Sequence, residues 1–274
     1  MRPLRSLSYR TDLFVCAFDG IVEERDRYIV VRTPSNPGFW WGNFLLYPDA
    51  PEARAAERGH AGSWLDDHAR ELPGIKAALL TWDRPDGAAG ELEPFRREGF
   101  TVDDSAVLTA TRAELHRPAK YASDVAVFEL RTDAHWTGAV TALTNAFTPT
   151  RSGTLEDLRD FVVRQCARYR AMQERGLGQW YGALVDGEIA AALGVVRNEE
   201  LGRYQLVGTD PRFGRRGVCS TLVHDAAQLT FARPSITTLV MNADATYHAA
   251  KVYESVGFRR TEQLIALLKR PPEA

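Results

Sequence analysis

The chain has 274 residues, 45% of them hydrophobic and 26% charged, and its 34 basic and 36 acidic residues leave a formal charge of −2. This composition is typical of a globular protein and excludes the disordered and fibrous classes. A nearly neutral chain has no net field that would draw it to nucleic acid or to an anionic membrane, so we expect neither partner. The length favours two domains over one.

The apolar stretches and the cysteines indicate the cellular compartment. The longest strongly apolar stretch, residues 189–196, is far shorter than the about 20 residues that a membrane helix needs. Asp12 and Asp19 interrupt the only segment that could serve as a signal peptide. The 3 cysteines form no CxxC pair, and the 6 histidines show neither HxH nor HExxH spacing. We therefore predict a cytoplasmic protein with reduced thiols and no metal site.

The first half of the chain alternates strand and helix signals. In chain order, the predicted elements are a hairpin of strands at 27–32 and 39–47, a helix at 62–72 that Ser63 can cap, a strand at 75–82, a short helix at 91–98 and a strand at 100–111. Residues 112–124 are polar, contain a proline and have no sustained apolar period, so we place the domain boundary there.

The second half has a longer series of elements. They are a strand at 125–131, helices at 134–147 and 155–174, two strands within 178–197, a strand at 203–209, a helix at 217–231, a strand at 236–242, a helix at 247–256 and a strand at 258–268. Thr154 can cap the second helix, and Asp186-Gly187 is typical of a tight hairpin turn. The predicted domains are residues 1–115 and 124–274.

The two halves share a pattern. The stretch from Ile75 to Asp83 matches the stretch from Ile236 to Asp244 in its apolar positions and at both ends. Further on, PFRREGF at 94–100 parallels VYESVGF at 252–258, and the order of elements repeats at a nearly constant offset. The repeat is either chance similarity between two strand-helix-strand units or a tandem duplication.

The loop VGTDPRFGRRGVCST at 207–221 joins a predicted strand to a predicted helix. Unpaired amides and the positive end of the helix dipole make a helix N-terminus a site for anions. Gly214 and Gly217 allow a tight bend, while Arg215 and Arg216 add positive charge. Taken alone, the loop is equally well an ordinary connection with surface arginines.

The surrounding elements favour the anion site. The loop reads Gly214-Arg-Arg-Gly217-Val-Cys219, and a later helix ends in Tyr253-Glu-Ser-Val-Gly257-Phe258. Over about residues 125–270 this pattern resembles the GCN5-related N-acetyltransferase (GNAT) superfamily. The resemblance implies an α/β (α+β) fold with a mixed, mostly antiparallel sheet flanked by helices, in two related domains, of which the N-terminal one is a degenerate copy.

The resemblance also implies a site for acetyl-CoA as cosubstrate. The residues that would bind it are the strand end and the loop with its helix start: Val207, Gly208, Thr209, Gly214, Arg215, Arg216, Gly217, Val218, Cys219 and Ser220. Tyr253 matches the general acid of the family. In the first half Phe95 stands at the position of Tyr253 and no glycine-rich loop precedes the helix, so that copy is expected to be structural or to shape the acceptor side.

Two positions depart from the family pattern. Gly214 stands where Gln or Arg is usual, and Cys219 replaces a final Gly or Ala. Backbone amides do most of the binding in such a loop, so the donors are retained. Cys219 as a nucleophile is an alternative, although a small packed thiol is the ordinary case.

The acceptor side is less defined. Glu199, Glu200 and Asp244 are candidates for the general base, and none has a spacing that selects it. Aromatic residues could line an acceptor pocket or belong to the core: Trp136, Phe147, Tyr169, Trp180 and Tyr204.

The sequence thus predicts transfer of an acetyl group from acetyl-CoA to a primary amine of a small molecule or peptide by direct attack. The alternative is a non-catalytic acyl-CoA-binding or regulatory module, which the altered loop and the lack of an obvious base would fit. The acceptor's identity stays open, as does the oligomeric state, for which a homodimer is one option.

Overall fold

The computed structural model describes residues 1–150, 153–244 and 249–270, with the side chains of residues 150, 244 and 249 left outside the description. The α-helices are α1 (Leu7–Cys16), α2 (Trp64–Glu71), α3 (Glu93–Arg97), α4 (Asp133–Phe147), α5 (Leu155–Glu174), α6 (Val218–Phe231) and α7 (Ala249–Glu254). The strands are β1 (Ile21–Glu24), β2 (Ile29–Arg32), β3 (Phe44–Tyr47), β4 (Ala78–Trp82), β5 (Thr101–Thr111), β6 (Ala126–Glu129), β7 (Gly178–Val185), β8 (Glu188–Asn198), β9 (Leu201–Thr209), β10 (Thr238–Asp244) and β11 (Arg259–Lys269).

The chain forms two compact units that are not continuous in sequence. The first unit contains residues 1–107, 242–247 and 260–274, and the second contains 108–241 and 248–259. These units differ from the predicted segments 1–115 and 124–274 because the C-terminal strand packs in the first unit. Its apolar residues pair with β4 there, as Ala266 with Thr81 and Leu268 with Leu79 show.

In the first unit the strand order is β1-β2-β3-β4-β11-β5. The neighbours β1–β2, β2–β3 and β4–β11 are antiparallel, whereas β3 and β4 are parallel and are connected through α2. An aromatic and aliphatic core fills the α2 side, with Trp82 and Phe95 fully buried. A predicted hairpin is therefore present as β2 and β3, while β1 and α1 were not predicted.

In the second unit the strand order is β10-β9-β8-β7-β6. The pairs β6–β7, β7–β8 and β8–β9 are antiparallel, and β9 and β10 are parallel with α6 between them in sequence. The predicted mixed, mostly antiparallel α/β fold is confirmed in both units. Each unit contains one parallel strand-helix-strand motif within an antiparallel sheet.

Local signals in the sequence set the boundaries of the second unit's elements. Thr154 caps α5 in a capping box, its hydroxyl accepting from the amide of Asp157 while the Asp157 carboxylate accepts from the amide of Thr154. Asp186 and Gly187 join β7 to β8 with φ of 53° and 83°. Two consecutive positive φ angles match the twist of a two-residue hairpin, as the dipeptide predicts.

The predicted sequence repeat corresponds to a repeated turn. The amide of Phe100 donates to the carbonyl of Phe95 at 3.1 Å, and the amide of Phe258 donates to the carbonyl of Tyr253 at 3.2 Å. Between them, Gly99 has φ of 84° and Gly257 has φ of 115°. The same Gly-Phe turn therefore ends α3 in the first unit and α7 in the second.

The described part of the chain contains no helix that is long and apolar enough to cross a membrane. No disulfide joins Cys16, Cys166 and Cys219, and burial raises the pKa of the Cys166 thiol to about 12.

The two turn glycines are expected to differ in their tolerance of a side chain. Gly99→Ala should lower the free energy of unfolding by about 1–2 kcal/mol, because alanine is strained at positive φ. Gly257→Ala should cost more, since its Cβ would also lie 2.1 Å from the carbonyl oxygen of Glu114. Urea denaturation of both variants measures the difference, and equal losses would contradict the close approach at Gly257.

Candidate functional site

Strand β9 separates from β10 halfway along its length. The pairing of the two strands runs from Leu201–Thr238 to Arg203–Val240. Beyond Arg203, β9 continues to Thr209 with no further β10 partner in the described pairing. The backbone groups on this side of residues 204–209 can therefore pair with an extended ligand.

A β-bulge lies in the diverging part of β9. Ala192 pairs with Gly208 and Gly194 with Gln205, so one residue of β8 faces two residues of β9, Leu206 and Val207. Leu206 has φ of 45°, a conformation that is uncommon for a bulky residue. A bulge bends its strand and redirects its backbone groups, which is why bulges are frequent beside active sites.

The loop after β9 has the conformation of an anion cradle. Arg215 and Gly217 have φ of 61° and 83°, and Gly217 is the N-cap of α6 without a side-chain cap. Among the described residues, no group accepts a hydrogen bond from the amides of residues 215–220. Successive outward amides at a helix N-terminus form an anion-binding concavity, so the residues predicted to bind phosphate are brought together.

The arginines of this loop differ in their partners. Arg216 lies 3.5 Å from Asp186 and 3.8 Å from Asp124, whereas Arg215 is exposed and makes no ion pair within the described ranges. Arg212 is paired with the Asp210 carboxylate at 3.0 Å. Arg215 is therefore the arginine that an incoming anion would meet without displacing an existing carboxylate.

Asp210 anchors the start of the loop. Its carboxylate is buried and accepts hydrogen bonds from the Asn145 amide at 2.6 Å and from the backbone amide of Arg212 at 2.9 Å. Burial works to raise the pKa of Asp210, but the hydrogen bonds from Arg212 and Asn145 outweigh it and hold the pKa below the ordinary range. The turn is thus fixed to α4, and sequence reasoning did not identify this residue.

Two further residues predicted to bind the cosubstrate lie before and after the loop, Gly208 in β9 and Cys219 in α6. Gly208 faces α4, where an added Cβ would come within 2.8 Å of the Leu143 side chain. Burial raises the pKa of the Cys219 thiol. A raised pKa disfavours the thiolate that a nucleophilic Cys219 would need.

Tyr253 lies in the last turn of α7 and is 6% exposed. Its ring meets Phe258 edge to face with centroids 6.5 Å apart, and Phe258 in turn packs edge to face on Tyr204 at 5.6 Å. The Tyr204 hydroxyl donates to the Val223 carbonyl of α6 at 2.8 Å. The ring of Tyr253 is therefore linked through Phe258 to the face of β9 that α6 covers.

The segment predicted as the domain boundary connects both parts of the site. The amide of His116 donates to the Val256 carbonyl at 3.0 Å, in the turn that follows α7. The Ser220 hydroxyl, at the start of α6, donates to the Lys120 carbonyl at 2.9 Å. A Cβ on Gly217 would lie 2.5 Å from that same Lys120 oxygen. We call residues 114–122 the brace, because they bind the cradle and the Tyr253 turn together.

The aromatic residues predicted for the acceptor pocket divide between two faces of the sheet. Trp180 stacks on Tyr169 of α5 with centroids 5.0 Å apart, and Trp136 of α4 lies 6.4 Å from Trp180. Phe147 lies close to Gly208 on the α4 side. Tyr204 is on the opposite face with α6, so it belongs to the core beside Tyr253 and not to the α4–α5 side.

Two of the three base candidates lie far from the bulge. Glu199 and Glu200 form the turn between β8 and β9, where the Glu200 carbonyl accepts from the amide of Thr237 at 2.9 Å. At about 3.3 Å per strand residue, they are roughly 20 Å from Leu206. The side chain of Asp244 lies outside the described residues, so the base is not assigned.

The first unit contains the counterpart of this site in a closed form. Strands β3 and β4 stay paired to their ends, with Tyr47 opposite Trp82 and the amide of Asp83 donating to the Tyr47 carbonyl at 2.8 Å. Trp64 stacks on Tyr47 at 3.7 Å. The strand edges that diverge in the second unit are therefore already occupied by each other in the first.

Within residues 1–150, 153–244 and 249–270, no group of three or more His, Cys, Asp or Glu side chains could hold a metal ion.

Comparison with known proteins identifies the type of domain. Residues 147–266 match the family model described as an acetyltransferase (GNAT) domain. No protein of curated description matches the chain.

Solved structures resemble the chain over nearly its whole length. A conserved protein of unknown function from Staphylococcus epidermidis aligns with a TM-score of 0.68 and 15% identity, covering 93% of this chain and 95% of its own. A GCN5-related N-acetyltransferase from Kribbella flavida aligns with a TM-score of 0.64 and 11% identity, covering 98% of this chain and 97% of its own. A tandem GNAT protein from the clavulanic acid biosynthesis pathway aligns with a TM-score of 0.55 and 14% identity, covering 100% of this chain and 90% of its own. The predicted tandem arrangement is confirmed at the level of the fold.

The cradle predicts a difference between its two glycines. Gly217→Ala should weaken the binding of acetyl-CoA roughly tenfold or more, because it combines positive φ with a clash against the brace. Gly214→Ala, at φ of −62°, should change the affinity far less. Isothermal titration calorimetry with acetyl-CoA measures both, and equal affinities would show that this loop does not hold the cosubstrate.

Asp210 predicts a pH-dependent stability. Asp210→Asn should lower the free energy of unfolding at pH 7 by about 1–3 kcal/mol, because it weakens buried hydrogen bonds to Arg212. Since the pKa of Asp210 is lowered in the folded protein, its contribution is present above the unfolded pKa and is lost as pH falls through the folded value. The difference between variant and parent should therefore shrink below about pH 4.

Denaturation curves from pH 3 to 7 test the Asp210 prediction. Glu188→Gln is the control, because Glu188 pairs with the same Arg212 but is 59% exposed, and such a pair contributes little. A constant difference across this pH range would contradict the role of the Asp210 carboxylate.

Proposed function

Because residues 147–266 form a GNAT acetyltransferase domain and the chain is a tandem member of the GCN5-related N-acetyltransferase superfamily, we propose that it transfers an acetyl group from acetyl-CoA to a primary amine. The observation that carries the proposal is that β9 diverges from β10 after Arg203 and leads into a loop whose amides at 215–220 have no hydrogen-bond acceptor among the described residues. Together they supply an open strand edge and an anion site in one unit.

The residues of the second unit fit the chemistry of acyl-CoA. The amides of 215–220 and the side chain of Arg215 bind the pyrophosphate, since that group carries negative charge. Residues Val207, Gly208 and Thr209 pair through their backbone with the amide-bearing arm of the ligand, as an added strand would. The bulge at Leu206 brings a backbone N–H toward the thioester carbonyl, where it stabilises developing negative charge.

The reaction is a direct attack of the amine. The amine nitrogen forms a bond to the thioester carbonyl carbon, the C–S bond breaks, and the departing thiolate takes a proton from the Tyr253 hydroxyl. The amine gives up its own proton to a base that is not assigned. Tyr253 is suited to donate because its ring is fixed against Phe258.

The first unit is proposed to be structural. Its paired strand ends at Tyr47 and Trp82 leave no open edge, and Phe95 has no hydroxyl at the position of Tyr253. We place the protein in the reducing cytoplasm, in keeping with the absence of a disulfide among its three cysteines.

Acetyl-CoA binding is the first test. Calorimetry of the full chain should show saturable binding of acetyl-CoA, and a chain that binds no acetyl-CoA at millimolar concentration would overturn the proposed function.

Tyr253→Phe should lower kcat by about 10²–10⁴-fold, because it removes the proton donor and keeps the ring packing. The affinity for acetyl-CoA should stay close to that of the parent. Release of the CoA thiol in the presence of an amine measures turnover. Tyr181→Phe, a buried tyrosine of β7 in the same unit, is the control and should keep its turnover. Equal turnover of Tyr253→Phe and the parent would remove Tyr253 as the acid.

A further inference from the structure

Two buried polar atoms on the α4–α5 side of the second unit lack a hydrogen-bond partner. They are the side-chain carbonyl oxygen of Gln165 and the indole nitrogen of Trp180, in residues that are 2% and 3% exposed. Neither has a partner in the described part of the chain. An unpaired buried polar atom costs about 1–3 kcal/mol, so a fold that keeps two of them on the same side of one sheet calls for an explanation.

The two atoms belong to one aromatic cluster. Trp180 stacks on Tyr169 at 5.0 Å, and Gln165 precedes Tyr169 by one turn on the same face of α5. The indole nitrogen of Trp180 lies over Gly194, where a Cβ would be only 2.0 Å away. Because Gly194 has no side chain, the indole of Trp180 can pack directly on strand β8 at this residue.

This cluster lies beside the diverging part of β9. Gly194 pairs with Gln205, and the Gln205 side chain accepts a hydrogen bond from the Tyr169 hydroxyl at 3.3 Å. Gln205 follows Tyr204, whose side chain is on the opposite face with Phe258 and Tyr253. The cluster and the acid therefore approach the open edge of β9 from opposite faces of the sheet.

We propose that Gln165 and Trp180 bind the non-reacting part of the amine acceptor, and that this part is uncharged and both donates and accepts hydrogen bonds. The proposal rests on the proposed function and specifies its substrate class. A hydroxyl or carboxamide group carries both the donor that the Gln165 oxygen lacks and the acceptor that the Trp180 N–H lacks. The stacked rings of Tyr169 and Trp180 provide an apolar surface for the carbon atoms between.

The charge of the surroundings excludes an ionised group. The polar atoms of the cluster are a carboxamide, an indole and a phenol, and none of them neutralises a buried ion. Arg203, two residues before Gln205 on the same strand, is buried and already engaged in an interaction within the chain. A carboxylate or second ammonium on the acceptor would therefore lose hydration without gaining a counter-charge from the side chains of the cluster.

Matched amines test this substrate class. The first pair is glycinamide and glycine, and the second pair is glucosamine and cyclohexylamine. The two amines of each pair are compared at equal concentrations of the unprotonated form, and turnover is followed by release of the CoA thiol. We expect kcat/KM to be higher by roughly tenfold or more for glycinamide than for glycine, and for glucosamine than for cyclohexylamine. A site that forms hydrogen bonds to neutral polar groups rejects analogues that lack them. Equal values within each pair would overturn the proposal.

Three variants separate binding from packing. Gln165→Met and Trp180→Phe should raise KM for glycinamide roughly tenfold and keep acetyl-CoA affinity unchanged. Gln165→Met should also leave the unfolding midpoint equal or higher, because an unpaired polar atom is removed with little change in volume. Trp180→Phe should lower the midpoint, because the smaller ring leaves a cavity. Gln173→Met is the control on the same helix, since Gln173 donates to the Leu130 carbonyl at 2.6 Å and accepts from the Trp180 amide at 2.7 Å. It should lower stability and leave KM unchanged.

The outcomes distinguish this proposal from the proposed function. An unchanged KM in both Gln165→Met and Trp180→Phe would overturn the proposal and show that the cluster is ordinary core. Ligand-observed NMR of glycinamide without acetyl-CoA gives an independent readout of the cluster. Binding of glycinamide by a chain that does not bind acetyl-CoA would overturn the transferase and retain the cluster as a site for neutral polar groups.

Discussion

The separation of β9 from β10 is the constraint on which the second unit depends. Parallel strands normally stay paired, as β3 and β4 do up to Tyr47 and Trp82. In the second unit the pairing stops at Arg203, and the bulge with Leu206 at positive φ bends β9 away. The cradle follows this open stretch of strand in sequence, the Tyr253 turn is linked to it through Phe258 and Tyr204, and Tyr169 is hydrogen-bonded to Gln205 within it.

The two copies show one topology with its parallel strand junction open in one unit and closed in the other. Both contain the parallel strand-helix-strand motif and the Gly-Phe turn. The first copy fills its strand junction with Trp64 stacked on Tyr47. Burying these large rings stabilises the unit but leaves no room for an added chain between the strands. The first unit is thus packed at the junction that stays open in the second.

Much of the fold could be predicted because its signals are local. The cap at Thr154, the turn at Asp186-Gly187 and the Gly-Phe turns depend on residues within a few positions of each other. The bulge was not predictable, since Leu206 is not a residue that favours positive φ. Likewise, the partners of Asp210 and the unpaired atoms of Gln165 become visible only when α4 and α5 are packed on the sheet.

The first unit is assembled from segments at both ends of the sequence, which affects how it folds during synthesis. Its strand β11 follows the whole second unit in sequence and pairs with β4. During synthesis at about 5–20 residues per second, β4 must therefore wait many seconds for this partner while the rest of the chain is translated. The edge of β4 that does not face β3 is open to wrong pairing in that interval. The nascent first unit is thus expected to need a chaperone more than the second.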